Sequence, residues 1–150
     1  MKAWTWIGIA ALVMVAGFLA GCLDEVLDPD VDFSINEAKT AEVSPPPVSV
    51  NATDGHHYVF VNITFINDND DTDVILGPGS FTLDDNNVTT VDGKYLANLN
   101  GRDIGDSISV DPGSEKTFWV IFEVQDGLVM EYMRYEGPTD EPVEKEMPNY

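Results

Sequence analysis

The stretch HHYVFVNITFIN, residues 56–67, decides the fold class of this chain of 150 residues. Its apolar side chains recur at every second position, which is the period of a β-strand that buries one face. The positions expected to point inward are Val59, Val61, Ile63 and Phe65. Nothing after residue 30 has a 3.6-residue period of useful length, so this strand is predicted to belong to an all-β domain.

A second long strand is predicted at KTFWVIFEV, residues 116–124. Here Phe118, Val120, Phe122 and Val124 share the inward face. Shorter strand patterns lie between clusters of Asp, Asn, Gly and Pro, which favour turns. They are found at 31–36, 74–76, 80–83 and 94–96, and within 128–135. Close spacing of short strands and turns is typical of a sandwich or a barrel.

Several short motifs predict how these strands are connected. Asp92-Gly93 is the signal of a tight hairpin turn before Lys94, and Asp111-Pro112-Gly113 predicts the turn into the second long strand. Ser44-Pro45-Pro46-Pro47 predicts an extended connector or a sheet edge, because three prolines cannot lie in a central ladder. Residues 137–150, with three prolines and mixed charge, are predicted to be a flexible tail.

The order of these motifs resembles the DUF4352 (telokin-like) extracellular domains. YVFVNITFIN, SFTLDD, DGKYL and DPGSEKTFWVIFEV follow one another as in that family, although residues 86–91 interrupt its usual pattern. The most specific part is Pro112-Gly113 followed by the strand with Phe118, Val120, Phe122 and Val124. The resemblance covers 31–136 and implies an immunoglobulin-like antiparallel β-sandwich, of a kind common in bacterial and archaeal lipoproteins. It supplies no catalytic residues.

The N-terminus has the layout of a secretory signal. A short segment with Lys2 precedes an uncharged apolar run at 7–20, which is shorter than the roughly 20 residues of a bilayer span. Leu19-Ala20-Gly21-Cys22 at its end resembles the lipobox of prokaryotic lipoproteins. That resemblance implies cleavage before Cys22 and lipid on its thiol. The alternative is a plain N-terminal helical anchor with an incidental cysteine.

These observations predict four segments: a signal peptide at 1–21, an acidic tether at 22–30, the sandwich at 31–136 and the tail at 137–150. The expected location is the extracytoplasmic face of the cell membrane, with the lipid on Cys22 as the attachment. Since Cys22 is the only cysteine, the exported domain has no disulfide and depends on core burial.

The charge excludes some partners. Lys and Arg number 7 against 27 Asp and Glu, which gives a net charge of −20. Nucleic acid and anionic lipid surfaces would be repelled. Because the acids are dispersed along the chain, they predict a solvated surface of the kind found in halophilic or salt-tolerant organisms, whether archaeal or bacterial.

One acidic loop is a candidate for a Ca²⁺ site. Asp68, Asp70 and Asp73 lie close together, and hard cations prefer such oxygen ligands. The loop lacks the glycine and glutamate of an EF-hand, so a solvated acidic turn is the alternative. Asp84 and Asp85 would join the site if the two loops shared an end of the sandwich.

No set of residues predicts catalysis or a cofactor. His56 and His57 are adjacent in a strand, so they point to opposite faces and cannot easily coordinate the same metal ion. No nucleophile with its base has recognisable spacing. Weak glycosylation signals occur at Asn51 and Asn87 in predicted loops and at Asn62 in mid-strand. We therefore predict that the protein is not an enzyme.

The second faces of the two long strands leave two interpretations open. Tyr58, Phe60, Trp119 and Ile121 lie there. Either these strands are covered on both sides, for example by a barrel-like curl, or the side chains form an exposed patch that docks a protein at the cell envelope.

The predicted function is that of a lipid-anchored cell-surface protein with a non-catalytic binding or structural domain. The first alternative is a cation- or small-ligand-binding lipoprotein that uses its acidic loops. The second is an enzyme of unfamiliar type.

Overall fold

The computed structural model describes residues 30–86, 89–139 and 141–150. The predicted signal peptide, Cys22 and the tether up to residue 29 lie outside the described residues, as does Asn87. Within the described part, no helix has the length and hydrophobicity needed to span a bilayer.

The described residues form ten strands and one short 3-10 helix. The strands are β1 (Val31–Ala41), β2 (His56–Asn67), β3 (Val74–Leu76), β4 (Phe81–Asp84), β5 (Thr90–Ala97), β6 (Asp103–Gly105), β7 (Ile108–Val110), β8 (Ser114–Gln125), β9 (Tyr132–Tyr135) and β10 (Val143–Glu146), and the 3-10 helix is Pro78–Ser80. Both long strands lie where the period-2 pattern predicts them.

The main sheet has the strand order β1-β2-β8-β5-β4-β9-β10, and β6 pairs with β5 beside it. β3 and β7 form a separate two-stranded sheet. All of these pairs are antiparallel. β5 joins two layers, because its first part pairs with β4 and its second part with β8. The opposite edges approach each other where Lys145 of β10 forms a 2.7 Å ion pair with Asp32 of β1. The result is an antiparallel sandwich that is partly closed at one side.

The core lies between the layers and is centred on Phe81. Its ring lies 6.2 Å from the rings of Phe33 and Phe65, 6.1 Å from Phe118 and 5.6 Å from Tyr135, measured between centroids. The predicted inward faces of the two long strands are confirmed, since all eight side chains are at most 1% exposed. Each such side chain contributes about 1.5–3 kcal/mol by leaving water.

The hairpin turn predicted at Asp92-Gly93 is wrong. Both residues lie inside β5, where the pairing with β8 shifts between Gly93 and Tyr95. The connection from β4 to β5 lies earlier in the chain, where the backbone N–H of Thr89 donates to Asp85 Oδ1 at 2.8 Å. Glycine is therefore used at a bulge, not at a turn. The turn at Asp111-Pro112-Gly113 is present, with Gly113 at a φ of 63°.

The prediction of a flexible tail at 137–150 is also wrong, and the sandwich does not end at residue 136. β10 pairs with β9 from Val143 to Glu146, and Val143 and Met147 pack against the core. The backbone N–H of Met130 donates to the Tyr150 hydroxyl at 3.1 Å. The period-2 pattern of this strand is short and is flanked by prolines, which concealed it.

The sandwich has two distinct ends. At the N-terminal end, the backbone N–H of Asp68 donates to the Asp30 carbonyl at 2.8 Å, so the loop at 68–73 lies beside the entry of the chain. At the opposite end, here called the far end, β2 begins, β8 finishes at Gln125 and β4 finishes at Asp84. β1 runs from the first end to the second.

Candidate functional site

The aromatic residues on the second faces of β2 and β8 are buried. Tyr58 is 1% exposed, Phe60 8%, Trp119 6% and Ile121 0%. The interpretation in which both faces are covered is therefore the correct one for these side chains, and the exposed-patch interpretation is wrong. Together with Ala97 they form a second, smaller core on the outer side of the sheet.

Two features cover this smaller core. The Lys39 ammonium lies 4.3 Å from the centre of the Trp119 ring, in a cation–π contact. The loop at 42–55, here called the covering loop, packs Ala52 against this core and folds back on itself through the bridge between Val43 and Asn51. It also touches β6, because the Asp103 N–H donates to the Pro46 carbonyl at 2.7 Å. The three prolines thus belong to a loop that packs over the sheet.

Glu123 fastens the covering loop to β8. Its Oε1 accepts the backbone N–H of Thr53 at 2.6 Å, and its Oε2 pairs with the Lys94 ammonium. The hydrogen bond from Lys94, with that from Thr53, lowers the pKa of Glu123 to about 2. The same contact raises the pKa of Lys94. Burial raises the pKa of the Tyr58 hydroxyl beside them.

The acidic loop does not assemble a metal site among the described residues. Asp68, Asp70 and Asp73 are exposed, and no group of three acidic, histidine or cysteine side chains in the described ranges is placed to hold a metal ion. Asp84 and Asp85 lie at the far end, so the idea that the two loops share one end is wrong. A buried amide organises the acidic loop instead: Asn67 Nδ2 donates to the carbonyls of Thr72 and Val110.

Each histidine contacts an oxygen atom of a nearby aspartate, and the two described glycosylation signals differ in exposure. His57 Nδ1 lies 2.9 Å from Asp126 Oδ1, and His56 Nδ1 lies 3.3 Å from the Asp54 carbonyl. Asn51 is exposed in the covering loop. Asn62 is 7% exposed and accepts a hydrogen bond from Asn36, which leaves little room for a sugar.

The feature that sequence reasoning missed is a groove of about 470 Å³ at the far end. Here called the far groove, it is lined by Thr40 and His57 near the ends of β1 and β2, by residues 128–132 after β8, and by residues 146–150. Binding sites for small ligands and side chains commonly measure about 300–1,000 Å³. Its size is therefore in the range of a binding site.

Backbone hydrogen bonds hold the walls of the far groove together. The Glu131 N–H donates to the Asp84 carbonyl at 2.8 Å, and the Glu131 carbonyl accepts the Met147 N–H at 2.7 Å. The Tyr150 hydroxyl accepts the Met130 N–H, and burial raises its pKa. The loop after β8 and the C-terminal segment are thus fixed to each other.

The surface of the far groove is both apolar and acidic. Val129 is 71% exposed and Tyr150 39%, so the groove presents apolar surface to solvent. Glu131 and Glu146 supply the formal charge, and none of the described residues that line the groove is lysine or arginine. The sequence signal was the Leu128-Val129-Met130 run directly after the Asp126-Gly127 turn, but its partners are distant in the chain.

The comparisons agree with this architecture. A family model described as "Domain of unknown function (DUF4352)" matches residues 23–142. The chain belongs to the DUF4352 family. The resemblance drawn from its strand and turn motifs is thereby confirmed, and the match extends past residue 136 to residue 142, just before β10 begins.

A solved structure supports the same fold for this DUF4352 domain. An uncharacterised β-sandwich protein from Clostridium difficile 630 aligns with a TM-score of 0.51 at 13% identity, over 79% of this chain and 85% of that one. At this identity the likeness concerns the fold alone. The predicted all-β antiparallel sandwich is confirmed. Among curated proteins, none matches the chain.

Proposed function

We propose that this DUF4352 protein is a lipid-anchored, non-catalytic binding domain at the extracytoplasmic face of the cell membrane. The observation that carries the proposal is the polarity of the sandwich. The chain enters at the N-terminal end, next to the segment that contains Cys22, and the far groove opens at the other end.

The dimensions suit presentation of the groove away from a membrane. From Val31 to Thr40, β1 covers about 30 Å at roughly 3.3 Å per residue. A tether over 22–30 would add up to about 30 Å if fully extended. Asp68, Asp70 and Asp73 at the N-terminal end would be repelled by anionic headgroups and would keep the domain off the surface. The groove would then face the surroundings of the cell.

The displaced pKa values of Glu123 and Lys94 have a structural cause and do not support a catalytic role for this pair. Glu123 and Lys94, whose pKa values move in opposite directions, are engaged with each other and with the covering loop. These shifts therefore serve the fold. A catalytic acid or base is instead expected in a cleft, with its shifted group directed at a substrate.

Mass spectrometry of protein from its host, combined with detergent phase partition, tests the anchor. We expect a mature chain that begins at Cys22 with lipid on the sulfur and that enters the detergent phase. The matched variant Cys22→Ser should keep the leader and lack the added mass. An intact Met1, or an unmodified Cys22 in the aqueous phase, would contradict the proposal.

A further inference from the structure

We infer that the far groove binds a polypeptide segment in which an apolar side chain stands next to lysine or arginine. The inference rests on the proposed function, because it takes the far groove as the outward surface of an anchored domain. It names the chemistry of the partner, which the sequence analysis left open.

The apolar part of the inference comes from Val129 and its neighbours. Val129, which lines the groove, is 71% exposed, whereas the next residue, Met130, is 1% exposed. Met147, which also lines the groove, is partly buried against the core. Methionine side chains adapt their shape readily, so a groove walled by Met130 and Met147 can accept a bulky apolar side chain.

The basic part of the inference comes from the charges. Glu131 and Glu146 are exposed and line the groove, and Asp126, 62% exposed, pairs with His57 beside it. Among the described residues, those that line the groove include no lysine or arginine. Complementary charge speeds encounter with a cationic partner and repels anions.

The same charges disfavour the other occupants. A second copy of the chain would bring another net charge of −20 against the same acids. An anionic headgroup, a nucleic acid or an acidic peptide would be repelled in the same way. A bare cation would leave Val129 and Tyr150 in water. A basic and apolar peptide satisfies both features of the groove together.

The test measures fluorescence anisotropy of a labelled hexapeptide of alternating lysine and leucine, titrated with the full-length protein in a non-ionic detergent. Glu131→Gln with Glu146→Gln should weaken binding about three- to tenfold, the equivalent of two exposed charge contacts. The control pair Glu37→Gln with Glu115→Gln removes the same charge from exposed positions outside the groove and should change affinity less than about twofold.

The apolar contact has its own matched pair. Val129→Ser should weaken binding about threefold or more, whereas Ile75→Ser, at a position that is also 71% exposed but lies on β3, should leave it unchanged. Peptides with serine for leucine, or glutamate for lysine, should bind more weakly than the parent. Because every substituted position is exposed, all four variants are expected to fold, and circular dichroism verifies this.

Three results would overturn the inference. The first is an equal loss of peptide affinity in the two double glutamine variants. The second is an equal peptide affinity of the two serine variants. The last is a dimer, observed by sedimentation, that the Val129→Ser substitution dissociates. The first would mean attraction to the whole acidic surface, and the last would make a second copy the occupant. Binding in detergent does not require lipid on Cys22, so the inference and the anchor can each fail without the other.

Discussion

Gly93 lies directly under the carbonyl group of Pro78, so that a Cβ atom added to Gly93 would stand 2.1 Å from the Pro78 oxygen and 2.9 Å from its carbonyl carbon. This approach packs the short 3-10 helix, Pro78–Ser80, onto β5. The residue that follows the helix is Phe81, whose ring is the centre of the aromatic core. The absence of one side chain on β5 therefore places the central residue of the core.

Gly93→Ala is expected to destabilise the domain by at least about 2 kcal/mol, because the obstacle is backbone and cannot rotate away. Gly79→Ala is the matched control, since a Cβ there meets nothing within 4 Å. Urea unfolding followed by tryptophan fluorescence gives both free energies. Equal stabilities of the two variants would show that the 3-10 helix moves freely relative to β5.

The main architecture could be predicted because it depends on local patterns. In β2 and β8, four inward positions at a period of two lie within seven residues, and turn formers bound each strand. Asp92-Gly93 misled because a hairpin turn uses the positive φ that glycine allows, whereas Gly93 is needed in β5 for its missing side chain. Only the position of Pro78, fifteen residues before Gly93, distinguishes these two uses of glycine, and local patterns do not contain that information.

The candidate site could not be predicted because its parts are distant in the sequence. Thr40, His57, Val129 and Tyr150 meet only after β1, β2 and β8 have paired and the C-terminal segment has docked. The burial of Trp119 was similarly hidden, since Lys39, which lies over its ring, comes from β1, and β2 separates β1 from β8 in the sheet. The period of the apolar residues predicts which side chains share one face of a strand, but it does not predict which other residues cover that face.

Asn67→Asp is expected to lower the melting temperature by roughly 5 °C or more, the equivalent of about 2 kcal/mol or more. Asn67 is 0% exposed, and its Nδ2 donates at 2.9 Å to Thr72 and at 2.8 Å to Val110. A carboxylate would place an acceptor against both carbonyls. Asn100→Asp adds the same charge at an exposed turn and should shift the melting temperature little. Similar shifts in both variants would contradict this role of the buried amide.

Glu123 should make stability depend on pH in the acid range. Its folded-state pKa is about 2, below the ordinary 4.5, so its contribution is complete above pH 4.5 and is lost as the pH falls toward 2. Glu123→Gln should therefore cost about 1–2 kcal/mol at neutral pH and progressively less below pH 4.5, since Lys94 is partly exposed. Glu115→Gln, at an exposed position, should change the free energy of unfolding little at every pH. Chemical unfolding at a series of pH values measures the free energy of unfolding of both variants and of the unsubstituted protein. If the stability lost in Glu123→Gln were the same at acid and at neutral pH, this role of Glu123 would be contradicted.

Monovalent salt should stabilise the domain, because the acidic groups of a chain with a net charge of −20 repel one another and few cations offset them. Several of the basic side chains are engaged locally, as Lys145 is with Asp32 and Arg134 with Glu144. We expect the melting temperature to rise steadily from about 20 mM to about 500 mM sodium chloride, as the Debye length falls below about 10 Å. Potassium and choline chloride should act equally, since screening is not specific. A melting temperature that stays flat or falls with salt would remove the argument for a salt-adapted surface.

A Ca²⁺ titration at constant ionic strength separates screening from a specific site. A saturable rise of the melting temperature, abolished by Asp68→Asn with Asp70→Asn, would show that the acidic loop binds the ion.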